Sequence, residues 1–255
     1  MCLILVAHKV VDELPLVIAA NRDEFHARPT QKAGWWPDDR NLLGGRDLQA
    51  GGSWLAVHRE GRFASVTNYR DADSVPRGKR SRGFLVTEFL QGNASPLDFV
   101  ESIDDSDYAG FNLLVTDGDS LAYRSNRSSE WGELSPGIYG LGNATMDTSW
   151  EKVERSKARL RSLIDAASVN DSSLLNLLAD RKKGPVDEVQ SDRLPFATAH
   201  AITAPFIVLP EYGTRCSTVV TASNTGQWTF LERRFSASGE PGGESRYLFN
   251  AVDGQ

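Results

Sequence analysis

The cysteine at position 2 offers the most chemistry in this chain. Removal of Met1 would leave a thiol and a free α-amine on one residue. An α-amine titrates near pH ~8, so it can take the thiol proton and do what a histidine does in other cysteine enzymes. The same cysteine also reads as a small apolar side chain opening a strand. Taken alone, the cysteine favours that packing role, although its setting is one that chemistry would need. Leu3-Ile4-Leu5-Val6-Ala7 follows at once, a continuous apolar run of the kind buried on both faces. A nucleophile needs that rigid support.

A polar tetrad, Asn21-Arg22-Asp23-Glu24, follows directly on a second apolar run, Leu16–Ala20. The polar segment His8–Pro15 reads as a turn, so the two runs predict a buried hairpin that brings the tetrad beside Cys2. Four polar residues at the end of a buried strand are costly unless paired. An arginine there can lower the thiol pKa, and an aspartate can hold the terminal ammonium or a substrate group. A loop with a local Arg–Asp pair is the alternative. Trp35-Trp36 and Trp54 lie in or beside the glycine-rich stretch that follows. Aromatics there suit a hydrophobic or planar ligand, with core packing as the other role for Trp54.

The remaining elements must position these residues. Trp54–His58 and Arg62–Thr67 predict a hairpin around Arg59-Glu60-Gly61, and Phe111–Thr116 with Ser120–Arg124 another around Asp117-Gly118-Asp119. Thr214–Ala222 and Gln227–Arg234 predict a long one around Ser223–Gly226. Asn21–Ser53 reads as loop. Helices are predicted over Ser81–Gln91, from Ser95-Pro96-Leu97-Asp98 onward, from a capping box at Thr148–Glu151 to about Ala167, and over Asp171–Asp180. Hairpins plus two helix pairs suit an α+β fold, with two antiparallel sheets face to face and helices outside: a four-layer αββα sandwich over residues 1–255 as one domain. A two-layer arrangement of helices on one sheet is the runner-up.

Composition excludes several classes. Counting glycine and omitting tyrosine, roughly 46% of the chain is apolar, an ordinary globular value. The net charge of -6 argues against nucleic acid or a membrane surface as partner. The basic clusters Arg77–Arg82 and Arg181-Lys182-Lys183 read as solvated loops, or as a phosphate or carboxylate contact beside a pocket. Two cysteines, Cys2 and Cys216, make no disulfide framework, and the four histidines lack metal-ligand spacing. No signal peptide or membrane-spanning run is apparent, so the expectation is a cytoplasmic protein with no metal.

The motifs resemble one family. Met1-Cys2-Leu3-Ile4, Ala20–Phe25, Gly44-Gly45-Arg46-Asp47, Gly51–Ala56, Thr67-Asn68-Tyr69-Arg70, Gly140–Asn143 and Tyr212–Thr218 are similar to the NRDE family, also known as the transport and Golgi organisation protein 2 family. The resemblance implies an N-terminal-nucleophile hydrolase-like fold of the branch with an N-terminal cysteine. It implies Cys2, Arg22 and Asp23 as the catalytic head, Asn68 and Asn143 as oxyanion donors, and Arg215 as a late arginine that fixes the N-terminal residue or polarises the thiolate. Taken singly, Asn68 and Asn143 also read as turn residues. Related enzymes usually separate the arginine from the aspartate by two residues. Here they are adjacent, so Asn21 and Glu24 share the candidacy for Asp23's role, and with Trp54 they are candidate ligand contacts. Cys216 is expected to be buried and to point away from the site.

Two functions follow as expectations. One is an enzyme in which Cys2 attacks a small-molecule amide or thioester and forms an acyl-enzyme. The other is a carrier without turnover, since the resemblance also implies haem trafficking and lipid homeostasis. No cofactor is required, although haem remains possible as a ligand through cysteine or histidine.

Overall fold

The strands in chain order are β1 (Cys2–His8), β2 (Leu16–Phe25), β3 (Thr30–Trp35), β4 (Leu42–Asp47), β5 (Leu55–His58), β6 (Arg62–Asn68), β7 (Phe111–Thr116), β8 (Leu121–Ser125), β9 (Gly132–Glu133), β10 (Gly137–Leu141), β11 (Tyr212–Ala222), β12 (Gln227–Phe235) and β13 (Pro241–Asn250). The helices are α1 (Gly83–Gln91), α2 (Pro96–Glu101), α3 (Glu151–Asp165), α4 (Asp171–Leu178) and α5 (Phe196–Ala201). The computed structural model describes residues 2–70, 80–189 and 194–252. Met1, Arg77 and Lys79 lie outside the described residues.

The two apolar runs near the start pair as expected, with Cys2 opposite Arg22 and His8 opposite Leu16. One antiparallel sheet has the order β10-β1-β2-β11-β12-β13, so β1 is flanked on both sides. The other runs β3-β4-β5-β6-β7-β8-β9. Between the sheets Ile4, Val6, Ile18 and Val220 meet Leu43, Val57, Phe63 and Leu114 in one apolar core. Residues of opposite parity, Leu3, Leu5, Val17 and Ala19, face Val153 and Leu160 of α3 and the leucines of α4. On the far side of the second sheet, Ala64, Leu113 and Val115 bury Leu85, Phe89 and Val100 of α1 and α2. The layers are therefore α-β-β-α, and the one-sheet alternative is overturned. No helix among the described residues is long and apolar enough to cross a membrane.

Two local expectations change. Asn21–Ser53 is not a loop. The tetrad lies within β2, and β3 and β4 follow. Their polar and glycine-rich sequence hides them, because strand pairing rather than an apolar run supports them. The capping box at Thr148 does not form. The Thr148 hydroxyl donates to the Thr145 carbonyl at 2.7 Å, and α3 starts at Glu151, whose N–H meets the Glu188 carboxylate at 3.0 Å. A remote carboxylate supplies the cap that no nearby residue provides. A box does form at α4, between Asn170 and Ser173.

Candidate functional site

Alternation along the strands sorts the tetrad. Directly opposed residues share a sheet face. Cys2 and Arg22 have the parity of Ile4 and Ala20 and so open toward the space between the sheets. Asn21 and Asp23 have the parity of Val17 and Ala19 and face the helix layer.

At the end of the inter-sheet space lies a cavity of about 450 Å³, lined by Cys2, Arg22, Asp23, Glu24, Trp54, Asn68 and Arg82 among others. That is a usual size for a small-molecule site. Arg22 is buried at its wall. Its guanidinium stacks 3.9 Å from the centre of the Trp54 ring, and Nη1 donates to Thr30 Oγ1 at 2.8 Å. Trp54 is half-buried, and its ring edge lies over Gly45. A Cβ on Gly45 would fall 2.1 Å from Trp54 Cη2, so only glycine admits the ring. Trp35 and Trp36 pack against the two cores and do not line the cavity.

The backbone nitrogen of Cys2 is held from the other direction. Its N–H donates to Asn143 Oδ1 at 2.6 Å, and Asn143 Nδ2 donates to the Asn68 carbonyl at 2.7 Å. The Arg70 N–H reaches the Asn143 carbonyl at 2.7 Å, and the Thr67 hydroxyl reaches the Gly142 carbonyl at 2.9 Å. The end of β6 in one sheet is thus tied to the end of β10 in the other. Asn143 is 2% exposed, and its amide oxygen faces the Cys2 nitrogen. It holds the head of the chain in this geometry, whereas Asn68 is exposed and is among the residues that line the cavity.

Beneath Cys2 lies a buried charged group. Asp23 Oδ1 accepts from the Thr214 hydroxyl at 2.7 Å. Burial pushes its carboxyl up to about 6, against the pull of the chain's amino terminus and of Lys152. Lys152, on α3, is itself 2% exposed. Burial lowers its ammonium, while Asp23 and Cys2 act to raise it. Burial is also the largest influence on Cys2 and raises its thiol; Arg22 pulls the other way without overcoming it. Arg22 lowers the thiol in the direction expected, and burial outweighs it.

Three other candidates stand differently from expectation. Asn21 is not at the cavity wall. Its amide donates to the Leu178 and Pro205 carbonyls at 2.9 and 2.8 Å and accepts from the Ser217 hydroxyl at 2.6 Å. With donors and acceptor taken, it ties the sheet to the helix layer. Glu24 does line the cavity, with its carboxylate 3.9 Å from Arg28. Arg215 occupies an extra position in β11, where the register shifts between Thr214 and Cys216. Its guanidinium donates to the carbonyls of Phe25 and Arg28 at 2.8 and 3.2 Å, clamping the turn between β2 and β3. The same bulge places Cys216 opposite Arg22. Cys216 is buried as expected, but it shares the face of Arg22 and Cys2, because the inserted residue reverses simple alternation.

Lys152 and Thr214 escaped sequence reading. The signal for Lys152 is its spacing: Lys152, Ser156 and Leu160 fall at i, i+4 and i+8 on one buried stripe.

A four-layer αββα sandwich with a cysteine heading an internal strand, beside a cavity between the sheets, defines an N-terminal-nucleophile hydrolase type of architecture. The chain belongs to the Transport and Golgi organisation 2 family, whose profile matches residues 1–237. It is 33% identical over 242 residues to the Transport and Golgi organization protein 2 homolog of Bos taurus, covering 88% of this chain and 87% of that protein. The Homo sapiens homolog is 33% identical over 244 residues, 86% of each chain. The Drosophila melanogaster Transport and Golgi organization protein 2 is 28% identical over 253 residues, 90% of this chain and 89% of that one. Among solved structures, a mutant conjugated bile acid hydrolase from Clostridium perfringens is similar with TM-score 0.49 and 10% identity, over 99% of this chain and 98% of that one. The Caenorhabditis elegans N-acylethanolamine-hydrolyzing acid amidase ortholog gives 0.47 and 11%, over 86% of this chain and 92% of that one.

Proposed function

We propose that residues 1–255 act as one cytoplasmic domain that hydrolyses or transfers an acyl group from a small amide or thioester through Cys2, once Met1 is removed. The observation that carries this reading is the placement of Cys2: it lines the cavity, and its nitrogen is held 2.6 Å from Asn143 Oδ1. With the α-amine free, Asn143 and Asp23 orient it beside its own sulfur. As Sγ bonds to the substrate carbonyl carbon, the thiol proton passes to the α-amine. The carbonyl oxygen gains negative charge, which the Asn68 side-chain amide at the cavity wall can meet. The C–N or C–S bond then breaks, and the α-ammonium returns the proton to the departing amine or thiol. Water, or an acceptor in the transferase case, attacks the thioester and regenerates the thiol.

A second reading, a haem, lipid or acyl carrier using the same cavity, draws on the raised Cys2 thiol. A neutral thiol is a poor nucleophile but no obstacle to a bound apolar ligand. For haem, Cys2 is the single sulfur among the described lining residues, and none of them is histidine.

The two are separated by intact-mass analysis of Met1-processed wild type and Cys2→Ala after exposure to a panel of activated acyl esters. The enzyme reading expects one acyl group on the N-terminal peptide of the wild type, lost on hydrolysis, and none on Cys2→Ala. Equal labelling, or lipid or haem binding that survives Cys2→Ala with turnover in neither protein, replaces it with the carrier.

A further inference from the structure

Asn143 can hold the Cys2 nitrogen only if its own backbone is held, and residues 142–146, which carry it, lie outside every helix and strand. The segment runs into Asp147, whose φ of 54° turns the chain. No strand ladder fixes its course, so its backbone groups must find side chains.

Three buried side chains of the facing sheet supply them. Thr67 of β6 stands opposite Asn112 of β7, and Asn112 stands opposite Ser125 of β8, two residues from Tyr123 and on the same face. Thr67 and Tyr123 are 2% exposed and Asn112 is fully buried. The Thr67 hydroxyl donates to the Gly142 carbonyl at 2.9 Å. Asn112 Nδ2 donates to the Ala144 carbonyl at 2.9 Å and to Thr67 Oγ1 at 3.2 Å. The Tyr123 hydroxyl donates to Asn112 Oδ1 at 2.9 Å and accepts the Met146 N–H at 3.2 Å.

The direction of this network is forced. A carbonyl only accepts, so Asn112 turns Nδ2 to Ala144 and Oδ1 to Tyr123. The Tyr123 hydroxyl then gives its proton to Asn112 and keeps its lone pairs for Met146. Residues 142, 144 and 146 are all pinned to one network, and Asn143 lies between the first two. Its side chain spans from the Cys2 nitrogen to the Asn68 carbonyl. Packing alone does not call for these polar groups. The Tyr123 ring sits in the core with Phe63, Leu114 and Leu121, where phenylalanine would bury the same ring with no hydroxyl to satisfy.

We infer that Tyr123 is a positioning residue for the head of the site: with Asn112, its hydroxyl sets the course of residues 142–146 and so the point at which Asn143 meets the Cys2 nitrogen. The inference rests on the acyl-transfer reading for what that nitrogen does. The network itself does not require turnover.

The test compares Met1-processed wild type with Tyr123→Phe and Thr67→Val, which cut the network at its two ends. Neither residue lines the cavity of about 450 Å³, so binding of an activated ester should be unaltered. Hydrogen exchange is read by mass on the peptide spanning 142–148, and acylation on the N-terminal peptide, which separates Cys2 from Cys216. Both variants should fold, with faster exchange across 142–146 and wild-type exchange in β1 and β2. The maximal rate of Cys2 acylation should fall about tenfold through lost orientation, while the half-saturating ester concentration stays where it is. A role in stability alone would lower the melting temperature and leave the maximal rate of the folded protein unmoved. Unchanged exchange across 142–146, or an unchanged maximal rate, in either folded variant overturns the inference. Loss of fold in both also overturns it and marks the network as structural; if Tyr123→Phe alone fails to fold, Thr67→Val decides. If wild-type Cys2 never acylates, the acyl-transfer reading falls. Exchange, together with alkylation of Cys2 by iodoacetamide, which should slow in both variants, then still decides the role of Tyr123.

Discussion

The backbone N–H of Cys2 donates to Oδ1 of Asn143 across 2.6 Å. The two residues stand at the same end of neighbouring strands, β1 and β10, whose register runs from Ile4 opposite Leu141. Asn143 is also tied to the Asn68 carbonyl of the other sheet. One side chain therefore joins the head of the chain to both sheets.

Asn143→Ala removes that joint. We expect acylation of Cys2 to slow by about 100-fold through lost orientation, and stability to fall by about 1–3 kcal/mol through the unsatisfied buried groups. Timed intact-mass labelling and urea melts check the two effects. Wild-type labelling rates in the variant would show that the Cys2 nitrogen needs no anchor.

Asp23 gives a pH dependence with a defined sign. Its carboxyl titrates at about 6 when folded, against 3.8 for a free aspartate. Between those values the folded protein keeps a proton that the unfolded chain has released. Stability from this group is complete below about pH 4 and is lost as pH rises through 6. The gap corresponds to about 3 kcal/mol. Urea melts from pH 4 to 8 should show wild type declining relative to Asp23→Asn by up to that amount, levelling above pH 7. Parallel curves would mean that Asp23 titrates as an ordinary surface carboxylate.

Gly45→Ala tests the cavity wall. The new methyl would sit 2.1 Å from the Trp54 ring, which must move and take the stacked Arg22 guanidinium with it. A cost of about 1–3 kcal/mol is expected from overpacking, together with a shift in tryptophan emission. An unchanged melt and spectrum would show that the ring has room to yield.

The hairpin from Leu3 to Ala20 was legible because a continuous apolar run at each side of a polar turn has few other ways to be buried. The same applied to the hairpins around Gly61, Gly118 and Gly226, each of which turns with positive φ at its glycine. The strands β3 and β4 were not legible, since their residues include Thr30, Gln31, Lys32 and paired glycines. Their stability comes from pairing and from the wall they build for Trp54.

By itself the sequence determined that Cys2 heads a buried strand, that Arg22 and Asp23 follow at the end of the apolar run that pairs with it, and that two sheets with outer helices would cover the apolar faces. Those are consequences of order and periodicity, which act over a few residues. Only the tertiary structure decided that Asn143 holds the Cys2 nitrogen, that Arg215 clamps a turn from a bulge, that Asn21 serves the helix layer, and that Lys152 lies buried beneath the site. Each of these depends on which groups meet after elements more than a hundred residues apart have packed, and on how much water that packing removes from a thiol, a carboxylate and an ammonium.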